Sequence, residues 1–113
     1  GARGIGLACG KVMAKEGAKV VLADVDLPAA EAAAAELSQQ GHSALAVKCD
    51  VRQVADVTAL MARAAEWGGA LDICVANAGV QGWVYGLPSD GAPSACLYCG
   101  STGSGYFATL CVG

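Results

Sequence analysis

A chain of 113 residues can bury one modest core, and its formal charge of −3, with Lys and Arg scattered, offers no basic surface to a nucleic acid. No apolar run reaches the roughly 18 residues of a membrane span, and no secretory pattern opens the chain. The expected setting is soluble and intracellular, the cytoplasm or a similar compartment, with neither nucleic acid nor membrane as partner.

The first element to emerge in chain order is a helix. The cluster "GARGIG" (Gly1 to Gly6) leads into "LACGKVMAKEG", which sets Leu7, Val12 and Met13 among polar residues and stops at Gly17. This pattern predicts a helix from about Ile5 to Glu16. "AKVVLAD" is a β-branched run ending in Asp24, the mark of a buried strand near 18–23. Asp26 can cap the next helix, which has Pro28 in its first turn and runs through alanines to about Gln40, before Gly41. "SALAVK" (43–48) then reads as a second strand. Gln53 to Trp67 reads as a helix with Val54, Val57, Leu60, Met61 and Ala64 on one face. Gly68 and Gly69 break it, and "LDICVA" from Leu71 gives a third strand over 71–76. Short apolar strands alternating with helices call for a parallel sheet with right-handed crossovers, an α/β fold.

At about Gln81 the composition changes. Residues 81–113 hold one charged residue, Asp90, and seven glycines, and no Lys or Arg follows Arg63. "SDGAPSACLYCGSTGSG" has turn chemistry without a helical or strand period; in this region only "YFATLCV", Tyr106 to Val112, has the makings of a strand or short helix. An irregular, poorly ordered Gly/Ser/Cys-rich tail is the expectation. Of the six cysteines, Cys9, Cys49 and Cys74 fall in regular apolar segments and are expected to behave as small hydrophobes. A disulfide framework lacks a secretory signal to support it. "CLYC" (Cys96 to Cys99) has a ligand spacing, but Cys111 and His42 supply no second motif, so no metal site is expected. Trp67 and Trp83 read as packing residues.

Chemistry concentrates at the front of the chain. Backbone N–H groups of the glycine cluster, at the positive end of a helix, can face an anion, and glycines let a pyrophosphate approach closely. Asp24, 18 residues after Gly6 at the end of the following strand, is placed to accept hydrogen bonds from an adenosine ribose. The plain alternative is an ordinary helix start beside a solvated loop aspartate.

Together with "CDV" (Cys49 to Val51) and "ANAG" (Ala76 to Gly79), "GARGIG" resembles the short-chain dehydrogenase/reductase family over residues 1–80. The matching motifs are that family's T-G-x-x-x-G-x-G loop, the aspartate after its third strand and its N-N-A-G motif. The resemblance implies a partial Rossmann-type, doubly wound parallel sheet whose first strand is missing, with a dinucleotide-binding domain over 1–80 and an unrelated tail over 81–113. It further implies that Gly4 and Gly6 are the second and third motif glycines, with Ile5 between them near the pyrophosphate. Asp24 would hold the ribose, Asp50 and Val51 would flank the adenine, and Asn77, Ala78 and Gly79 would line the floor beneath the cofactor. Ala76 stands where the family has its first asparagine. In the family's strand order, 3-2-1-4, the missing strand belongs between the strands ending at Asp24 and Ala76, and its absence leaves central backbone groups unpaired.

The cofactor indicators oppose each other. Arg3 suits a 2′-phosphate and hence NADP, whereas Asp24 repels that phosphate and gains hydroxyl hydrogen bonds from NAD; a close like charge outweighs an exposed arginine contact, so NAD is expected. The family's chemistry also needs a tyrosine with a lysine four residues later. Lys48 is the last lysine, so Tyr85, Tyr98 and Tyr106 lack that partner, and Asn77 is the only asparagine. No catalytic residue is assigned. The expectation is a fragment of an NAD(P)-dependent short-chain oxidoreductase, inactive as this chain; the alternative is a non-catalytic nucleotide-binding or docking module. A complete form is expected to be a homo-oligomer, with the substrate left open.

Overall fold

Runs of small and β-branched residues punctuated by glycine settle into three layers, as seen in a computed structural model that describes residues 1–78 and 109–112. Helix α1 spans Gly4–Lys15, strand β1 Lys19–Asp24, α2 Leu27–Gln39, β2 Ala44–Lys48, α3 Val54–Gly68, β3 Ile73–Val75 and β4 Thr109–Val112. The helices fall within a residue or two of the spans expected from sequence. Asp26 caps α2 as expected, its Oδ1 accepting from the Ala29 amide at 3.2 Å. Gly69 closes α3 in the left-handed region, φ +88°, which a residue with a Cβ adopts only under strain.

Strand β1 is the centre of the core because it is covered on both faces. Val20, Val21 and Leu22 are wholly buried, and Ala23 nearly so. Side chains alternate across a strand. Val20 and Leu22 therefore meet Ala14 of α1 and Ala33, Ala34 and Leu37 of α2, with Ala44 and Ala46 of β2 beside them. Val21 and Ala23 face the other way, onto Leu60 and Ala64 of α3, with Leu45 and Val47 of β2 alongside. Two helices on one face and one on the other make the sheet doubly wound among the described elements. Lys11 on α1 and Glu36 on α2 add an ion pair at 2.8 Å across the first face.

Two valines of the helices are exposed, and of these Val54 departs from the face expected of it. Helix α1 buries Gly6, Gly10 and Ala14, one residue every four, and leaves Val12 exposed because it stands about 200° around the helix from Gly10. Val54 is exposed as well, since it is the first residue of α3 and precedes the turn that packs through Val57 and Leu60. Strand β3 is shorter than the expected 71–76, and Cys74 on it is exposed rather than packed as a hydrophobe. Cys49 is buried, as expected.

The expected gap in the sheet is filled. The strand order is β2-β1-β4-β3: β1 pairs parallel with β2, while Thr109–Val112 pairs antiparallel with β1 on one side and with β3 on the other. Strands β1 and β3 therefore run in the same direction, as an alternating α/β chain requires. The sheet as a whole is mixed rather than parallel. Leu110 stands opposite both Val21 and Cys74, so the backbone groups expected to be orphaned have partners. Val75 is opposite Thr109, which means that the chain leaves β3 and enters β4 at the same end of the sheet. An antiparallel strand satisfies that geometry directly, whereas a parallel one must first cross to the far end. The four residues of β4 belong to the segment read as a strand or short helix; the rest of 79–108, including "CLYC" and Trp83, lies outside the described residues. Among those described, no helix is long and apolar enough to cross a membrane.

Proline at a position paired on both sides removes a ladder donor and clashes within the sheet. Leu110→Pro is expected to lower stability by about 2 kcal/mol or more, read as a fall in the urea midpoint. An unchanged midpoint would show that Thr109–Val112 contributes no pairing in solution.

Candidate functional site

The residues with chemical potential gather where the strands β1, β2 and β3 end. Asp24, the last residue of β1, is the hub. Its Oδ2 accepts from the Gly1 nitrogen at 3.1 Å and the Ala2 amide at 3.0 Å, and its Oδ1 accepts from the Asp26 amide at 3.0 Å. One carboxylate thus pins the entry of α1 against the exit of β1. Burial by itself raises the Asp24 pKa; hydrogen bonds, chiefly from the amides of Asp26 and Ala2, outweigh it and hold the group below its usual 3.8. With two donors on Oδ2 and one on Oδ1, the carboxylate has room for a further donor at Oδ1.

Beside it, α1 presents a bare start. Arg3 is the N-cap in an extended conformation, gives no side-chain cap, and no acidic residue stands in the first turn. The Leu7 amide is bonded to the Arg3 carbonyl at 3.2 Å, so the amides of Gly4, Ile5 and Gly6 precede that first turn of the helical ladder. Gly4 has φ +56°, and a Cβ built on it would meet nothing within 4 Å. Glycine is needed there for its conformation, and the space over it is open. Gly6 is buried and Ile5 is exposed. The Arg3 guanidinium, expected to be available to a phosphate, is instead paired with Asp26 Oδ2 at 2.5 Å.

The exit of β2 is tied to that of β1 by the Cys49 amide, which donates to the Asp24 carbonyl at 3.0 Å. The following turn is held from below: Asp56, in the first turn of α3, accepts the Asp50 amide at 3.0 Å. The Asp50 carboxylate is gripped by Arg52, whose Nε lies 2.9 Å from Oδ1 and Nη2 2.6 Å from Oδ2, with the Arg52 amide also on Oδ1 at 3.0 Å. These bonds bring its pKa down to about 2. The Asp50 carboxylate, expected to accept from an adenine amino group, is thus already engaged by Arg52. Val51 packs with the α3 side of the core. The Cys49 thiol is pushed up to about 11 by burial and by Asp56 and Asp50, so it stays protonated at neutral pH and is a poor nucleophile.

Asn77 and Ala78 follow β3 and are half-buried. Asn77 Nδ2 is buried with no hydrogen-bond partner among the described residues. Such a donor is costly to leave alone and fits a polar ligand group laid over it. Gly79 lies outside the described residues. The structure thus brings Arg3, Gly4, Ile5, Gly6 and Asp24 together, ties Asp50 and Val51 to them through Cys49, and sets Asn77 and Ala78 across β4. Sequence reasoning missed the pairing roles of Asp26, Arg52 and Asp56. An arginine two residues after an aspartate and an acid in a helix's first turn were the available signals.

Helices on both faces of a sheet, with an open helix start and acids at the strand exits, place the chain in the Rossmann-like α/β class. The sequence profile of the short chain dehydrogenases matches residues 1–90, and the chain belongs to that family. The match reaches past the change in composition at Gln81. An uncharacterized oxidoreductase of Mycobacterium bovis is 51% identical over 80 residues, which are 71% of this chain and 32% of that protein. Cis-4-hydroxycyclohexanecarboxylate dehydrogenase of Sinomonas cyclohexanicum is 48% identical over 79 residues, 70% of this chain and 31% of that protein. Galactitol 2-dehydrogenase of Agrobacterium fabrum is 43% identical over 79 residues, with 70% and 30% covered. The chain spans about a third of the length of these curated relatives. Nicotinamide dinucleotides are the cofactors of the family in general.

Because the Asp24 pKa is lowered on folding, its stabilising bonds are fully present above its unfolded value near 3.8 and are lost as pH falls through the folded value. Asp24→Asn is therefore expected to flatten the acid limb of the stability–pH curve, measured as urea midpoints between pH 7 and pH 2. An acid limb as steep as in the parent would assign the loss to other carboxylates.

Proposed function

We propose that this chain supplies the nucleotide-binding part of an NAD-dependent short-chain oxidoreductase and that, by itself, it binds the dinucleotide without turning over an alcohol or carbonyl. The observation that carries the reading is the meeting of an uncapped helix start at Gly4 with the Asp24 carboxylate at the end of β1. The buried Asn77 Nδ2, without a hydrogen-bond partner among the described residues, supports it, because a polar group of a ligand would satisfy that donor.

The nicotinamide ring, when bound, supplies or takes up hydride. The remaining roles fall to the chain. Amides at Gly4, Ile5 and Gly6 face the pyrophosphate, and the positive end of α1 favours its charge. Asp24 accepts a ribose hydroxyl at Oδ1, and its charge disfavours a 2′-phosphate. Asp50 and Val51 flank the adenine, Arg52 holding the Asp50 carboxylate in place. Asn77, Ala78 and Gly79 form the floor. Turnover requires a group to carry the proton that accompanies hydride transfer. With no tyrosine followed four residues later by lysine, the 113 residues lack the family's usual proton carrier. The same lack favours a second reading, a module that binds nucleotide or docks on a larger relative without chemistry of its own.

Calorimetric titration of the chain with NAD and NADP tests the proposal. NAD is expected to bind the more tightly, and Asp24→Ala to weaken it by about ten- to a hundredfold through the loss of a charge-assisted bond. No heat of binding with either dinucleotide would overturn the nucleotide reading. A preference untouched by Asp24→Ala would remove Asp24 from the site. Steady NADH formation with an alcohol, abolished by a substitution within the chain, would overturn the expected inactivity and the second reading together.

A further inference from the structure

Asp26 does three things at once. Its Oδ1 accepts the Ala29 amide at 3.2 Å, its own amide donates to Asp24 Oδ1 at 3.0 Å, and its Oδ2 takes the Arg3 guanidinium at 2.5 Å. The cap fixes the carboxylate from below, and the bond to Asp24 fixes its backbone beside the proposed ribose position. The second oxygen is thereby presented to Arg3, which is 74% exposed and would otherwise be a loose cation at the mouth of the glycine turn. We propose that Asp26 is a specificity-determining residue of the site: by neutralising Arg3 it withholds from a 2′-phosphate the cation in the glycine turn that would favour it.

This rests on the nucleotide reading above. Its physical content is that two negative charges, Asp24 and Asp26, act differently. Asp24 discriminates by direct repulsion at the ribose. Asp26 discriminates by occupying the opposing charge, so its influence passes through Arg3 and depends on Arg3 being present. The pair is solvent-exposed, so the expected effect is moderate and falls as salt screens it.

The variant that tests the idea is Asp26→Asn, which keeps a side-chain oxygen for the Ala29 amide while removing the charge that holds Arg3. ADP and 2′,5′-ADP are titrated by calorimetry against the full chain, Asp26→Asn, Arg3→Ala and the double variant, at low and at physiological salt. Asp26→Asn is expected to move the ratio of 2′,5′-ADP to ADP affinity toward 2′,5′-ADP by roughly three- to tenfold at low salt. In the Arg3→Ala background the same substitution is expected to move it less than twofold, because the cation to be released is gone. Circular dichroism melts establish that each variant is folded before titration. An equal shift with and without Arg3 would show that Asp26 acts by its own charge and would overturn the proposal, as would no shift in either background. Binding of neither nucleotide by the parent chain would overturn the nucleotide reading and this one with it.

Discussion

The clasp at Asp24 is the interaction on which the arrangement of the site depends. The exit of β1 and the start of α1 are far apart in the chain, because the length of α1 and of β1 itself lies between them. At that end the Asp24 carboxylate accepts the Ala2 amide and the Gly1 nitrogen on one oxygen and the Asp26 amide on the other, with the Arg3–Asp26 ion pair outside it. Each bond to a charged acceptor is stronger than a neutral one. Three of them converge where the open end of α1, the mouth of the glycine turn and the start of α2 must all be oriented.

Around that clasp, the sheet answers a problem of completeness. Strand β1 is buried on both faces and needs neighbours on both edges, since an unpaired backbone group in such a place is expensive. Strand β2 supplies one edge in parallel and β4 the other in antiparallel. The direction of β4 follows from where the chain comes back to the sheet. The hydrogen-bonding requirement was a stronger determinant than the parallel habit of an alternating α/β chain, because either direction satisfies the ladder.

Much of this could be read from the sequence, and the reasons differ by element. The helices and the first two strands were legible because glycine stops, the Asp26 cap and the run Val20–Val21–Leu22 are local signals. The buried face of α1 was not legible, because its stripe is made of glycine and alanine, which carry no hydrophobic signal of their own. The gap between β1 and β3 was inferred correctly as a need but not as a filled place, since pairing between Val21 and Leu110 joins residues far apart in the chain. In the site, the positions of Gly4, Gly6 and Asp24 were legible from spacing. The engagement of Arg3 by Asp26 and of Asp50 by Arg52 was not, because charge pairing depends on rotamers and on turns that spacing does not specify.

The stripe Gly6–Gly10–Ala14 has a consequence for how the site is tuned. With so little side-chain volume in that stripe, the axis of α1 can approach the sheet closely, and the depth at which it lies depends on the sizes of these three residues as well as on Leu7 and Met13 beside them. The open end of the helix is carried on that axis. Moving the axis outward by even the width of a methyl group would swing the amides at Gly4 to Gly6 relative to the strand exits while leaving every charge in place. The electrostatic character of the site is in this sense governed by volume: a methyl group added far down the helix acts at the mouth of the glycine turn as a lever acts at its free end.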